Sequence, residues 1–281
     1  MTRRVGAYVL PGDATWLDRT LPAYYDLLDE LVVPVPVDGR GWTGAPIEVE
    51  RCLEIVRATD TRGILRTVDG QWTRPDDPLA ADTAQRQAAV DALSDSVDWI
   101  LQVDNDEFLP DPTVLRSAME RAEALGVVGV ELPMRVVFRR TRRHTFEIAC
   151  ADGSPHHEYP GPLVVRAGSR LVDARRADGS FLRLVVAGGD RSLQVNRPAG
   201  PGETREETLR PEQAVVHNSW GRSSEDIRRK VRSWGHANDT KQSRYFWTVW
   251  WPSPLIWWAL RDFHPFARGL WPRLVRRSTD V

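Results

Sequence analysis

"DWILQVDNDEFLPDP" (residues 98–112) sets four acidic side chains, Asp98, Asp104, Asp106 and Glu107, around an apolar run. If residues 99–104 are extended, Trp99, Leu101 and Val103 share one face while Ile100, Gln102 and Asp104 share the other. The run therefore reads as a buried strand over 98–103, with negative charge gathered at its C-terminal end. Continued alternation places Asp106 beside Asp104 and turns Glu107 away from the pair. Two carboxylates so close repel each other, and burial adds to the cost of ionising both. A hard divalent cation, Mg²⁺ or Mn²⁺, removes that penalty. Acids that merely cap a turn before the next helix are the simpler reading of a bare Asp-x-Asp. The hydrophobic strand before this one favours ligand chemistry, because open α/β sheets bind ligands beyond the C-terminal ends of their strands. A calcium-binding EF-hand is excluded, since Phe108 and Leu109 stand where a ligand and a glycine are needed.

Outward from that strand, elements alternate. Val5 to Leu10 reads as a first buried strand, closed by Pro11-Gly12. Residues 14–29 read as a helix, with Pro22 marking a restart. "ELVVPVPVD" follows as a second strand, and its alternate prolines suggest strain or an edge. A helix opening at Pro46 carries Ile47, Cys52, Leu53 and Val56 on one stripe. "RGILRTV" is the third strand, residues 80–96 an alanine-rich helix, and 98–103 the fourth strand. Asp111, Pro112 and Gly126 bracket a helix over 112–125 with start and stop signals. This order implies βαβ units and a doubly wound, mainly parallel sheet: an α/β fold. After Gly126 the runs "VVGVELPMRVVFRR", "GPLVVRAG", "FLRLVV" and "EQAVVHNSW" suggest a more antiparallel C-terminal half. Residues 196–208 read as a mobile loop, and 224–236 as a helix with Ile227, Val231 and Trp234 on one face.

Composition sets bounds. A chain of 281 residues can bury a sizeable core. With 27% charged and 41% hydrophobic residues it reads as a globular protein, and a net charge of −1 gives no global case for nucleic acid. Cys52 and Cys150 are the two cysteines, far apart and without a Cys-x-x-Cys, which argues against a disulfide framework or thiolate zinc site and fits a cytoplasmic location. No signal peptide and no membrane span are read.

The segment "WILQVDNDEFL" resembles the Trp-(Ile/Val)-Leu-x-(Leu/Val)-Asp-x-Asp-Glu-Phe-(Leu/Ile) segment of family 2-type glycosyltransferases with a GT-A fold. The "VGAYVLP" strand, Asp38 after the second strand, and "QRQAAVDAL" one helix before the Asp-x-Asp fall in the same order, over most of residues 4–236. The resemblance implies a GT-A-like domain over 1–240 that uses a nucleotide-diphosphate-sugar donor held through Mn²⁺ or Mg²⁺, and an inverting transfer to an acceptor hydroxyl. By that likeness Asp106 ligates the metal, Asp104 contacts metal, water or ribose, Asp38 meets the nucleoside, and Arg86 lies near base or diphosphate. One departure is plain: members usually carry Asp-Gly-Ser/Thr-x-Asp after the second strand, whereas this chain has "VDGRGWTGAP".

"AVVHNSWGRSSEDIRRKVRSWGH" resembles the C-terminal part of many such enzymes. It offers His217 as third metal ligand, with Lys230 and Arg222 near the diphosphate; a hydrogen-bonded structural histidine is the plainer alternative for His217. Two acids compete for the base that deprotonates the acceptor. Glu158, in "SPHHEYPGP", is preferred over Asp190, in "AGGDRSLQ", and either also suits a plain turn. Against a nucleotidyltransferase stands the lack of an early Gly-x-Gly-x-x-x-Arg loop; a non-catalytic carbohydrate- or membrane-surface-binding protein is the third reading.

Residues 241–281 form a Trp- and Arg-rich extension. Six of the 12 tryptophans fall between Trp247 and Trp271, and Pro252 and Pro254 break any long helix. Three readings compete: core packed on the domain, a peripheral membrane contact using Arg261, Arg268, Arg273, Arg276 and Arg277, or an aromatic surface for the acceptor or a homodimer.

Overall fold

A computed structural model describes residues 3–188, 200–233, 244–265 and 267–278, with the backbone alone described at 158–160 and 229–233. The chain divides into two compact units. Unit 1 comprises Met1–Leu132, Gly161–Leu184 and Ala199–Glu206, and unit 2 Pro133–Pro160, Val185–Pro198 and Glu207–Val281.

Unit 1 is a mixed α/β sheet flanked by helices. Strands β1 (Val5–Tyr8), β2 (Glu30–Pro36), β3 (Leu65–Gly70) and β4 (Trp99–Leu101) are joined through helices α1 (Leu17–Tyr25), α2 (Val49–Thr59) and α3 (Pro78–Leu93). They lie in the order β3-β2-β1-β4 and pair in parallel. Short strands separated by helices pair this way, because right-handed crossovers return each strand in the same direction; β1, β2 and β4 are largely buried, and β3 at the edge is not. Beyond β4 lies β8 (Glu158–Arg166), antiparallel to it. Then come β6 (Gly129–Arg140) and β11 (Phe181–Val186), parallel to each other, and β12 (Glu203–Leu209). The expected doubly wound sheet is therefore present, and antiparallel pairing enters with β8.

The prolines of β2 need no edge position. The N–H groups of Leu31 and Val37 donate toward the β3 side, to Ile64 and Gly70. By alternation the nitrogens of Pro34 and Pro36 face the other side, where pairing with β1 has already ended at Val32. No ladder bond is lost. Helix α3 covers β1 so closely that a Cβ on Gly6 would lie 2.9 Å from Leu93 Cδ2. Its Ala89, Val90 and Leu93 share a core with Tyr8, Ile100, Val165 and Phe181. Helix α4 (Thr113–Leu125) ends as expected at Gly126, whose φ of 68° suits a residue without Cβ.

Unit 2 is built on the second part of β6. There β13 (Val215–His217) pairs with it in parallel and β7 (His144–Ala149) in antiparallel fashion. The outer strand β14 (Arg273–Ser278) is antiparallel to β7. The core gathers Phe138, Phe146, Trp220, Phe246, Trp250, Phe263, Trp271 and Leu274, so five of its aromatic or aliphatic members come from beyond residue 240. Trp250 is fully buried and its indole N–H donates to the carbonyls of Phe138 and Trp220, both at 3.1 Å. Burying an indole requires such a partner. Arg139 stacks over the Trp250 ring at 3.5 Å, and burial lowers its pKa to about 10.

One reading changes. The end of the expected mobile loop, Glu203–Leu209, is strand β12, and the part of that loop at 196–199 lies outside the described residues. The helix expected over 224–236 is present as α5 (Ser224–Ser233), with Ile227 buried and Arg228 exposed as the stripe requires, while residues 234–236 and the Val231 side chain lie outside the described residues.

Candidate functional site

In a doubly wound sheet the crevice opens where strand order reverses. Here that point lies between β1 and β4: the chain winds from β1 through β2 to β3, then crosses back to β4. Tyr8 ends β1, and Asp104 follows β4 by three residues.

Asp104 is held by guanidinium groups. Arg86, on the buried face of α3, donates from one terminal nitrogen to Asp104 Oδ1 at 3.0 Å and from Nε to Asp82 at 2.6 Å. Arg175 stands 3.7 Å from the other Asp104 oxygen. Burial pushes the Asp104 carboxyl up, but the charges of Arg175 and Arg86 outweigh it and hold the group below the usual carboxylate range. The repulsion expected between Asp104 and Asp106 acts in the opposite direction and is smaller than either arginine's effect. Asp82 behaves differently: its burial outweighs Arg86 and raises its pKa.

Glu107 corrects the alternation argument. Strand β4 stops at Leu101, and a turn at Asn105–Asp106 separates it from the two-residue strand β5 (Glu107–Phe108), so side chains no longer alternate through the acidic cluster. Glu107 is fully buried, accepts from the Asp104 backbone N–H at 3.0 Å, and forms a two-point pair with Arg175 at 2.6 and 2.8 Å. The turn is pinned from its other side: Asn105 Nδ2 donates to the carbonyls of Leu10 and Asp13, and Thr20 donates to the Asn105 carbonyl. Gln102, also fully buried, links Tyr8 to the Arg175 backbone through its two amide atoms. Burial raises the Tyr8 hydroxyl to about 12, which keeps it a neutral donor to Gln102.

Arg175 is the residue sequence reasoning missed. It sits in a tight turn between β9 (Leu171–Asp173) and β10 (Arg176–Ala177). Ala174 before it has φ of 45°, a left-handed conformation costly for a residue with a Cβ, and its N–H is fixed by Thr83 at 2.8 Å. A two-residue hairpin with a strained alanine aiming an arginine leaves no spacing pattern in sequence; the doubled Arg175-Arg176 in a Gly- and Asp-bounded turn is the one local hint.

Asp38 lies in the turn after β2. The Arg40 backbone N–H and the Thr73 hydroxyl donate to it, at 3.0 and 2.9 Å, and the Arg40 bond is the largest influence holding its pKa down. The neighbouring Val37 and Gly39 border a cleft of about 590 Å³ whose walls include Val35, Ile47, Val49 and Asp69. Trp42, from the departing "DGRGWTG" turn, donates to Gln85, one residue before Arg86. The turn thus tethers itself to α3 with an indole.

In unit 2, His217 ends β13 and Arg222 precedes α5. Lys230 lies within α5 and Glu158 opens β8, but their side chains are outside the described residues, as is Asp190 altogether. Among the described residues no group of three or more His, Cys, Asp or Glu is placed to hold a metal ion.

No family model matches the chain, and no curated protein matches it. Solved structures do. A 4-diphosphocytidyl-2C-methyl-D-erythritol synthase from Anaerococcus prevotii is similar with a TM-score of 0.33 and 12% identity, covering 60% of this chain and 73% of that one. A structure described as mannose-1-phosphate geranyltransferase from Thermus thermophilus is similar with a TM-score of 0.27 and 13% identity, covering 59% of this chain and 50% of that one.

Proposed function

We propose that the chain is a transferase that takes a nucleotide-diphosphate sugar at the β1–β4 crevice and passes its sugar to an acceptor hydroxyl, in the manner of family 2-type glycosyltransferases. The observation that carries this reading is the charge arrangement at the switch point. Asp104 follows β4 in the grip of Arg86 and Arg175, Asp106 lies close enough to repel it, and Glu107 is buried against Arg175. Neighbouring carboxylates at such a point suit a divalent cation, and Mg²⁺ or Mn²⁺ is commonly held by one or two carboxylates plus substrate phosphates. Asp106 would supply the carboxylate, while Asp104, fixed by Arg86 and Arg175, would meet ribose or a metal-bound water. When bound, the cation would neutralise the departing diphosphate.

The chain's own residues take the remaining roles. Asp38, ionised and oriented by Arg40 and Thr73, suits the nucleoside beside the cleft that its neighbours Val37 and Gly39 border. Arg86 acts as a positioning residue for Asp104. His217 as a further ligand, Lys230 and Arg222 at the diphosphate, and Glu158, ahead of Asp190, as the base for the acceptor complete the proposal. Cytoplasmic residence belongs to the same reading.

A thermal-shift panel of nucleotide-diphosphate sugars with and without Mn²⁺ tests it. At least one donor should stabilise the protein in a Mn²⁺-dependent way, and Asp106→Ala should abolish the Mn²⁺ dependence. Equal metal-dependent stabilisation of Asp106→Ala would remove the metal assignment. Turnover should release nucleoside diphosphate; release of pyrophosphate from a nucleoside triphosphate and a sugar phosphate would instead make the chain a nucleotidyltransferase.

A further inference from the structure

Unit 2 keeps an aromatic surface outside its core. Trp247, Trp251, Leu255 and Trp258 are 56, 51, 76 and 63% exposed, whereas Phe246 and Trp250 of the same segment are buried. The spacing separates the two sets. Phe246–Trp250 is a π-helical turn and Ser253–Ile256 a short helix, so residues at intervals of about four share the outward side. The Trp247 and Trp251 rings lie 6.1 Å apart. Other indoles of the same unit are packed inside it, Trp220, Trp250 and Trp271 being buried.

Charge identifies the occupant. Between Arg244 and Ser278 there are six arginines and one acid, Asp262, in a chain whose net charge is −1. Arg244, Arg261, Arg268 and Arg276 are exposed, Arg277 is exposed but paired with Glu147 at 2.8 Å, and Arg276 stacks at 5.4 Å over Trp257, next to Trp258. A second copy of this chain would bring the same positive surface against itself. An anionic partner is favoured instead, and indoles beside arginines match the interface of an anionic bilayer, where aromatic rings sit at headgroup level and basic residues meet the negative surface. Pro252 and Pro254 interrupt the segment, and among the described residues no helix is long and apolar enough to cross a membrane. Such a segment lies along a bilayer rather than through it.

We propose that the face formed by Trp247, Trp251, Leu255 and Trp258 docks unit 2 onto an anionic lipid surface, with exposed arginines of the same segment supplying the charge. It draws on unit 2 alone and stands whether or not unit 1 transfers a sugar, because vesicle binding and donor binding are read separately.

Co-sedimentation of the full chain with phosphatidylcholine vesicles, with and without about 30% phosphatidylglycerol, tests it. The chain should partition onto the anionic vesicles, and raising salt from about 0.1 to 0.5 M should weaken binding. Trp251→Ala with Trp258→Ala should weaken binding at least about ten-fold. Arg244→Glu with Arg268→Glu should weaken it by at least about 25-fold. All four positions are exposed, so circular dichroism and the unfolding midpoint should stay at wild-type values, and each pair checks the other. No preference for anionic vesicles, or binding untouched by both pairs, would overturn the proposal. So would a concentration-dependent dimer, seen by light scattering, that the tryptophan pair dissolves in a chain that never binds vesicles.

Discussion

Glu107 has no exposure to solvent, so its charge must be met inside the protein. Arg175 meets it with two hydrogen bonds while also donating to the Gln102 carbonyl. Removing one partner of a buried pair leaves an uncompensated charge, at a cost of about 3–5 kcal/mol. Arg175→Ala should therefore lose about that much stability in urea unfolding, and adding Glu107→Gln should recover a large part of it. A double variant as unstable as the single one would mean that the arginine acts through packing. Asp104 gives a pH signature. Its folded pKa lies below the unfolded one, so its ionised form adds stability above about pH 4, lost as pH falls through the folded value. The stability gap between wild type and Asp104→Asn should be full at neutral pH and close on acidification; a gap unchanged down to about pH 2 would remove the ion pairing as its source. The sequence made Asp104 and Asp106 visible because acids after a buried strand are unusual. It hid what neutralises Asp104, since Arg175 comes from a hairpin 71 positions further on and strict alternation turns its pairing partner Glu107 away from the site.

Elements differ in how openly the chain declares them. Strands β1 to β4 and helices α2 to α4 follow from local periodicity, turn residues and helix signals, because each is stabilised largely by a stripe or run that its own segment contains. Strands β7 and β14 were not read. "HTFEIA" and "RLVRRS" are half polar, and what makes them strands is their pairing with each other across more than 120 residues, Leu274 opposite Ile148 and Arg276 opposite Phe146. Gly129 is a case where sequence shows a break but structure shows a contact. A Cβ there would lie 2.4 Å from Phe181 on β11 and 2.6 Å from the Val164 carbonyl on β8. The carbonyl belongs to sheet backbone and cannot turn aside, so Gly129→Ala should destabilise unit 1 by about 1–3 kcal/mol. Chemical denaturation checks this, and Phe181→Leu in the same background should return part of the loss; no loss in Gly129→Ala would mean that the strands can separate locally without cost.

At the scale of the molecule, the two compact units each contain one cysteine: Cys52 in unit 1 and Cys150 in unit 2. Neither forms a disulfide and both are buried. Burial raises the Cys52 thiol to about 12, so at neutral pH it is both inaccessible and protonated, and reagents that attack thiolates reach it only after unit 1 opens. Labelling rates under native conditions then report the opening of each unit separately. Arg175→Ala weakens interactions that lie wholly within unit 1, between residues 86 and 175. If the units open independently, it should accelerate Cys52 labelling by roughly a hundred- to several-thousand-fold, the equivalent of about 3–5 kcal/mol, and leave Cys150 unchanged. The converse holds for Leu274→Ala, which empties a fully buried position opposite Ile148 in unit 2 and should accelerate Cys150 alone. Mass spectrometry of peptides after timed labelling separates the two sites. Equal acceleration of both cysteines by either variant would show instead that the units open as one cooperative body, although their contacts cluster apart.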